Sequence, residues 1–275
     1  VRKIIVIASK PGKLGNLLTV FSHFIAYSLE HNYLLYNPAF HEYASLFRGS
    51  SKNRLRLLLD NLNYRFSFYF ARTIDKLKLN SAWVQVIYLD WDQKINLDTC
   101  EFKSRITFVQ GWGYRSIEIM KKHRPYIRNF FIPASPNYEM IQKHKEGRIP
   151  KNKVIVGVHI RHGDYQFFEN GKYFYSIAQY RALMDSVVQL FDQEVFFVIC
   201  SNINFDESEM QGLQYQKGLG SVIGDLYILA ACQYIIGPPS TFTGWSSFYG
   251  QVPLYHVYNT EEPFKLSNFQ VFEIP

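Results

Sequence analysis

The sequence predicts an α/β protein made of two halves. Three observations carry this. Short apolar runs that suit buried strands stand at residues 3–8, 154–160 and 195–200. The first two give way to a polar turn containing Gly, and then to a segment with apolar residues at helical spacing. Between the two series, residues 143–153 are polar and basic, carry Gly147 and Pro150, and read as a linker. The expected domains are therefore 1–150 and 151–275 of a 275-residue chain, long enough to bury a core without disulfides or metals.

In chain order, residues 3–8 form the first strand and Ser9-Lys-Pro-Gly-Lys-Leu-Gly15 a turn. Residues 16–30 form a helix with Leu17, Val20, Phe21, Phe24, Ile25 and Leu29 on its apolar face. Residues 32–80 are aromatic and basic with no clean period. Strands follow at Val84–Tyr88 and near residues 106–109. After the linker, 154–160 is a buried strand and Arg161-His-Gly-Asp164 a loop. Ser176-Ile-Ala-Gln179 has capping-box form and opens a helix with Leu183, Met184, Val187, Leu190 and Phe191 inward. A strand at 195–200, a short helix at 225–231 and a short strand at 234–236 come next. The turn Gly237-Pro-Pro-Ser-Thr241 leads into a helix ending at Gly250, and 252–257 is a closing strand. Two such halves suggest a cleft between them, the usual ligand position in these folds.

Composition excludes a disordered or fibrous chain, because 47% of residues are hydrophobic. Lys+Arg number 30 against 23 Asp+Glu, so the net charge is +7, which suits either an anionic ligand or plain solubility. The basic residues are dispersed, which argues against nucleic acid as a partner. Cys100, Cys200 and Cys232 are too few for a disulfide framework and suit buried thiols in a reducing compartment. No apolar run is long enough to span a bilayer. The expected location is the cytoplasm, free or at the inner membrane surface; a trimmed leader or anchor stays open.

Three constellations carry chemistry. Gly12-Lys-Leu-Gly-Asn16 stands at a strand-to-helix junction and reads either as a tight turn with Asn16 as N-cap or as a loop whose amides meet phosphate. His159-Ile-Arg-His-Gly-Asp164 follows a buried strand. There Arg161 either forks onto a phosphate or pairs with Asp164 to brace the loop. Ser240-Thr-Phe242 opens a helix that Ser240 caps, and the same helix start suits a phosphate. Asp225 is either a helix-start partner or an acceptor for the N1–H and exocyclic amine of guanine.

Taken together these segments resemble the superfamily of GDP-fucose-dependent fucosyltransferases of the α1,2, α1,6 and protein-O types. Gly12-Lys-Leu-Gly-Asn16 is similar to its G-x-[LF]-G-N loop, His159-Ile-Arg-His-Gly-Asp164 to its H-x-R-x-[GT]-D motif, and Val195-Phe-Phe-Val-Ile-Cys-Ser-Asn202 to its strand ending in [ST]-D. Asp225-Leu, Cys232 to Ile236 and Ser240-Thr-Phe242 are similar to its last motif. The resemblance covers residues 154–257 and, locally, 3–30. It implies two Rossmann-like domains facing a cleft (the GT-B arrangement), with the GDP-sugar held mainly by the second and the acceptor side in the first.

Carried over residue by residue, Arg161 binds the diphosphate and, with Asn16, is catalytic. Gly15, Asn16, His159, Arg161, Asp164, Asp225, Ser240, Thr241 and Phe242 bind the donor. The implied reaction inverts the anomeric carbon, needs no metal or other cofactor, and moves fucose from GDP-fucose to a hydroxyl of a glycan or glycoconjugate. The alternatives are a non-catalytic GDP- or sugar-binding module of the same fold, and a transferase for another GDP-sugar. Two positions depart from the pattern: His162 stands where the α1,2 and α1,6 types have a second Arg, and Asn202 where the family has Asp. Candidate general bases are His41, Glu42 and His162. Trp83, Trp91 and Trp112 offer faces that suit sugars. Lys52, Arg54, Arg56 and Arg65 suit an anionic acceptor or peripheral contact with a membrane.

Overall fold

The computed structural model describes residues 2–50 and 54–273; Lys52 lies outside them. The chain divides into two compact units, Val1–Ser135 and Pro136–Pro275. Both are α/β and built on a mainly parallel sheet, as a pair of Rossmann-like units.

The first unit contains β1 (Ile4–Ile7), α1 (Leu14–Glu30), β2 (Leu34–Tyr36), α2 (Arg54–Lys76), β3 (Val84–Tyr88), β4 (Ile95–Asn96), β5 (Ile106–Gln110), β6 (Tyr114–Arg115) and α3 (Glu118–Phe130). Its sheet has the order β2-β1-β5-β3 and is parallel throughout, while β4 and β6 form a separate pair. Parallel sheets need both faces covered. Val6, Ala8, Val86 and Phe108 pack on Ala71 and Ile74 of α2 from one side, and Ile5, Ile7 and Val109 are buried on the other. Helix α1 is buried nearly all round, and it packs against α3.

The second unit contains α4 (Asn137–Arg148), β7 (Val154–Ile160), α5 (Ile177–Val188), β8 (Val195–Ser201), β9 (Tyr215–Lys217), α6 (Val222–Leu229), β10 (Tyr234–Gly237), α7 (Thr241–Gly250), β11 (Pro253–His256) and β12 (Gln270–Val271). The sheet order is β12-β11-β10-β7-β8-β9, parallel except for β12. Every residue of β7 is buried. Val154, Val156, Val158 and Ile160 share a core with Phe197, Ile199 and the inner face of α5, Tyr180, Leu183, Met184 and Val187. The capping box opening α5 is present: Ser176 Oγ accepts from Gln179 N–H and Gln179 Oε1 from Ser176 N–H.

Several expectations meet differences. Residues 143–148 are the C-terminal turns of α4, which packs on α6, so only the last part of the expected linker is a loop. Helix α1 begins at Leu14 with Lys13 in the N-cap position, so Asn16 is its third residue and not its cap. Helix α6 begins at Val222 and its cap is Ser221, whose Oγ accepts from Gly224 N–H; Asp225 sits one turn inside. No helix among the described residues is long and apolar enough to cross a membrane.

Candidate nucleotide-sugar site

From β7 the chain builds outward in both directions: β8 and β9 on one side, β10 and β11 on the other. The loops that leave β7 and β10 therefore diverge, and the gap between such loops at the carboxyl ends of the strands is where open α/β sheets bind ligands. His159 and Arg161 lie at the end of β7, and Ser240, Thr241 and Phe242 follow β10 at the start of α7.

The two loops are tied together. Tyr165, from the turn after β7, donates its hydroxyl to Pro239 O at 2.6 Å, and the Arg161 guanidinium lies over the Tyr165 ring at 5.4 Å. The Phe242 ring stacks on the His159 imidazole, with centroids 4.9 Å apart and planes at 29°. Ser240 caps α7: its Oγ accepts from Thr243 N–H at 3.1 Å, and the Thr243 hydroxyl reaches His256 Nε2 at 3.0 Å. The positive end of the α7 dipole is thus held beside Arg161 and His159.

Burial, with the charge of Arg161 second, pushes His159 down to about 3, and burial pushes His256 to about 4. Both imidazoles are neutral at pH 7, and His159 Nδ1 is buried with no hydrogen-bond partner. An orphaned polar atom in a buried ring costs stability unless something arrives to bond it. Arg161 is the fixed cation of the site. Its Nη2 lies 2.8 and 2.9 Å from the two carboxylate oxygens of Asp164. The bracing pair allowed by the sequence is therefore formed, and Asp164 is the partner that holds Arg161.

Asn202 explains itself in the structure. Its Oδ1 accepts from His162 N–H at 2.8 Å and its Nδ2 donates to His162 O at 3.2 Å. This two-way clamp on the motif loop needs one donor and one acceptor on the same side chain, which an ionised aspartate lacks. His162 itself turns away: its Nε2 donates to Tyr175 O at 2.6 Å and its ring packs against Phe174. That bond fixes the tautomer with the lone pair on Nδ1, so His162 stays a candidate base.

Asp225 is buried; its Oδ1 accepts from Gly220 N–H at 3.0 Å, and the Leu219 amide and the Cys200 thiol also bond its carboxylate, which braces the loop after β9. Burial raises its pKa to about 6.

In the first unit, the loop between β1 and α1 carries the G-x-L-G-N segment. Gly12 has φ +85°, and a Cβ there would stand 2.6 Å from Asn16 Nδ2, so the Asn16 side chain folds back beneath this glycine. Gly15 is buried in the first turn of α1. Lys10 of the same loop donates to Glu42 at 2.7 Å and holds that carboxyl below its ordinary range. His41 donates from Nδ1 to Pro38 O at 3.0 Å, which leaves its Nε2 3.9 Å from Glu42. Glu42 and His41 thus stand beside His162 as candidate bases.

Sequence reasoning missed Tyr165 and Tyr180, whose hydroxyls fix the loop from outside its motif; Tyr180 accepts from Arg161 N–H at 3.2 Å. Among the described residues no group of three or more His, Cys, Asp or Glu could hold a metal. Asp90 and Asp92 are both exposed.

Residues 123–263, just over half of the chain, match the sequence profile of glycosyl transferase family 11. The chain belongs to glycosyl transferase family 11. No curated protein matches it in sequence. Among solved structures, a mutant of Arabidopsis thaliana FUT1 in complex with GDP has a TM-score of 0.62 at 12% identity, over 94% of this chain and 71% of that one. The fucosyltransferase NodZ from Bradyrhizobium has a TM-score of 0.61 at 15% identity, over 98% and 97%. POFUT1 in complex with GDP-fucose has 0.55 at 12%, over 90% and 93%. At such identities the likeness is one of fold. Family and fold agree with the resemblance to the GDP-fucose-dependent fucosyltransferases, and this member of family 11 is glycosyltransferase-like at that level.

Proposed function

We propose that this chain transfers fucose from GDP-fucose to a hydroxyl of a glycan or glycoconjugate, with inversion and without a metal. The observation that carries the reading is the grouping of Arg161, the α7 N-terminus and the orphaned His159 between the loops of β7 and β10. In this reading the second unit holds the GDP-sugar and the first takes the acceptor. Breaking the anomeric bond builds negative charge on the β-phosphate. Arg161 and the amides at the start of α7 are donors already in place for that charge. Thr241 and Phe242 line the phosphate and base through backbone and ring, while His159 and Asp225 hold the guanosine. Asp164 and Asn202 keep the Arg161 loop in shape. The role that the resemblance gives Gly15 and Asn16 is tested separately, by the donor KM of Asn16→Ala. Glu42, ionised beside Lys10, or His41 takes the acceptor proton.

The test is a donor screen: GDP or UDP release from GDP-fucose, GDP-mannose and UDP-sugars with EDTA present. Turnover of GDP-fucose that survives EDTA, and is abolished by Arg161→Ala in a folded protein, supports the proposal. Turnover of a UDP-sugar alone, or loss of activity in EDTA, overturns it. Turnover of GDP-mannose alone assigns a different GDP-sugar. GDP binding without turnover of any donor makes the chain a binding module.

A further inference from the structure

We propose that Trp91 and Trp112 form a stacking subsite for a neutral pyranose ring of the acceptor. This rests on the glycosyl-transfer reading above and gives the acceptor a place within the first unit.

Trp91 follows the carboxyl end of β3 and Trp112 that of β5, the neighbouring strand. Their rings stack with centroids 4.9 Å apart and planes at 22°. The Arg115 guanidinium lies 4.5 Å from the Trp112 ring centre, anchored by Nη1 donating to the Trp112 and Tyr114 carbonyls. Trp91, at 65% exposure, leaves most of its indole in water. The core does not use that surface, and burying it against a ligand is favourable.

The platform is built to be rigid. Trp112 Nε1 donates to Trp91 O at 3.1 Å, and Gln93 Oε1 accepts from Asp90 N–H at 3.0 Å, closing the turn that carries Trp91. Gly111 and Gly113 flank Trp112. A Cβ at Gly111 would strike Leu89 O and one at Gly113 would strike Gln93 O, so glycine at both places lets the two loops close on each other. Gly111 N–H donates to Ser9 Oγ at 2.9 Å. The platform is thus bonded to the loop that runs on to Gly12 and Asn16, at the end of the sheet where α/β folds bind ligands.

The chemistry selects the ligand. An indole face suits the C–H face of a pyranose, and exposed carboxylates at Asp90 and Asp92 accept from its hydroxyls. Those two charges repel an anionic sugar. Trp83 is equally exposed, at 67%, but precedes β3 and so stands at the opposite end of the sheet. It serves as the control.

The experiment uses the full chain and four probes: methyl β-galactoside, methyl β-glucoside, N-acetyllactosamine and glucuronate. Binding is read by saturation-transfer NMR and indole fluorescence. At least one neutral probe is expected to receive saturation on its C–H face. That signal is expected to disappear in Trp91→Ala, return in Trp91→Tyr and persist in Trp83→Ala, with glucuronate silent throughout. In turnover assays Trp91→Ala is expected to raise the acceptor KM roughly three- to tenfold, the size of one lost stacking contact. The donor KM and kcat stay within about twofold. Saturation of no neutral probe, an unchanged acceptor KM in Trp91→Ala, or an equal effect of Trp83→Ala overturns the proposal. If no GDP-sugar is turned over, the glycosyl-transfer reading fails by itself, while the NMR arm still decides whether the platform binds sugar.

Discussion

Replacing Asn202 by aspartate exchanges one NH2 group for an oxygen, and the family pattern carries aspartate at this position. The structure nonetheless predicts a loss. The bond from His162 N–H to Asn202 Oδ1, at 2.8 Å, survives the change, but the 3.2 Å bond to His162 O becomes a contact between two acceptors. One net hydrogen bond is worth about 1 kcal/mol, and leaving the carbonyl without its donor adds to that. Asn202 is exposed, so water softens the penalty, and the sum is about 1–2 kcal/mol. For a protein of this size that lowers Tm by roughly 3–6 °C. The assay is a calorimetric melt of parent and Asn202→Asp at pH 7 and again near pH 4. When protonated, the introduced carboxyl can donate to His162 O, so folding raises its pKa above the unfolded value of about 3.9. The deficit is therefore full at pH 7 and shrinks as pH falls. The quantity compared is the gap between the two proteins at each pH. Equal melting at pH 7, or a gap that widens in acid, would refute the assignment of Asn202 as a donor–acceptor clamp.

Three further outcomes are expected. His159 and His256 fold with pKa values of about 3 and 4, below the unfolded value near 6.5, so the unfolded state binds more protons between these limits. Their contribution is whole above pH 6.5 and is lost as pH falls toward 3. Asp225, raised to about 6, opposes this below pH 6 with a single group. Urea midpoints are expected to fall steadily from pH 6.5 to 4, and a flat profile would contradict the burial of both imidazoles. Guanosine, which has no phosphate to titrate, is expected to bind more tightly as pH rises through about 6 and Asp225 ionises. Titration calorimetry of Asp225→Asn should lose that dependence, and a parent with pH-independent affinity would exclude Asp225 as the guanine acceptor. Asp98 accepts from Ser116 Oγ at 2.6 Å and from the amides of Ile117, Ile119 and Glu118 at the start of α3. Asp98→Ala is expected to cost about 2 kcal/mol in urea unfolding, as for the loss of a strong cap; a change under about 0.5 kcal/mol would show that the cap contributes little.

Much of the second unit was legible because its signals are local. Strands β7 and β8 are mainly apolar, mostly buried runs, and the capping box at Ser176 lies within four residues. Helix α2 was not legible. Its buried line of Ser67, Ala71 and Ile74 is small, while Leu62, Phe66, Tyr69 and Phe70 are exposed, so the apolar pattern points away from the face that packs. Helix α4 hides behind charge, with Gly147 and Pro150 imitating a linker. At the site, the motif residues were readable by type and spacing, but their partners were not. Tyr165 reaches Pro239 across 74 residues and Asn202 reaches His162 across 40, distances at which spacing carries no information. Asn16 suits a cap by residue type, but Leu14 already begins the helix, with no side chain capping it.

In the proposed donor site, the pairing of Arg161 with Asp164 would govern how a nucleotide comes and goes. A diphosphate reaching this guanidinium would meet a cation already neutralised, so its arrival would exchange one anion for another. The Asp164 side chain is 47% exposed and has water to swing into. Long-range attraction from this residue is correspondingly weak, and the association rate owed to it varies little with ionic strength. The same carboxylate is an intramolecular competitor after transfer. In the proposed reaction, once the sugar has left, Asp164 would retake Arg161 and help the spent nucleotide depart.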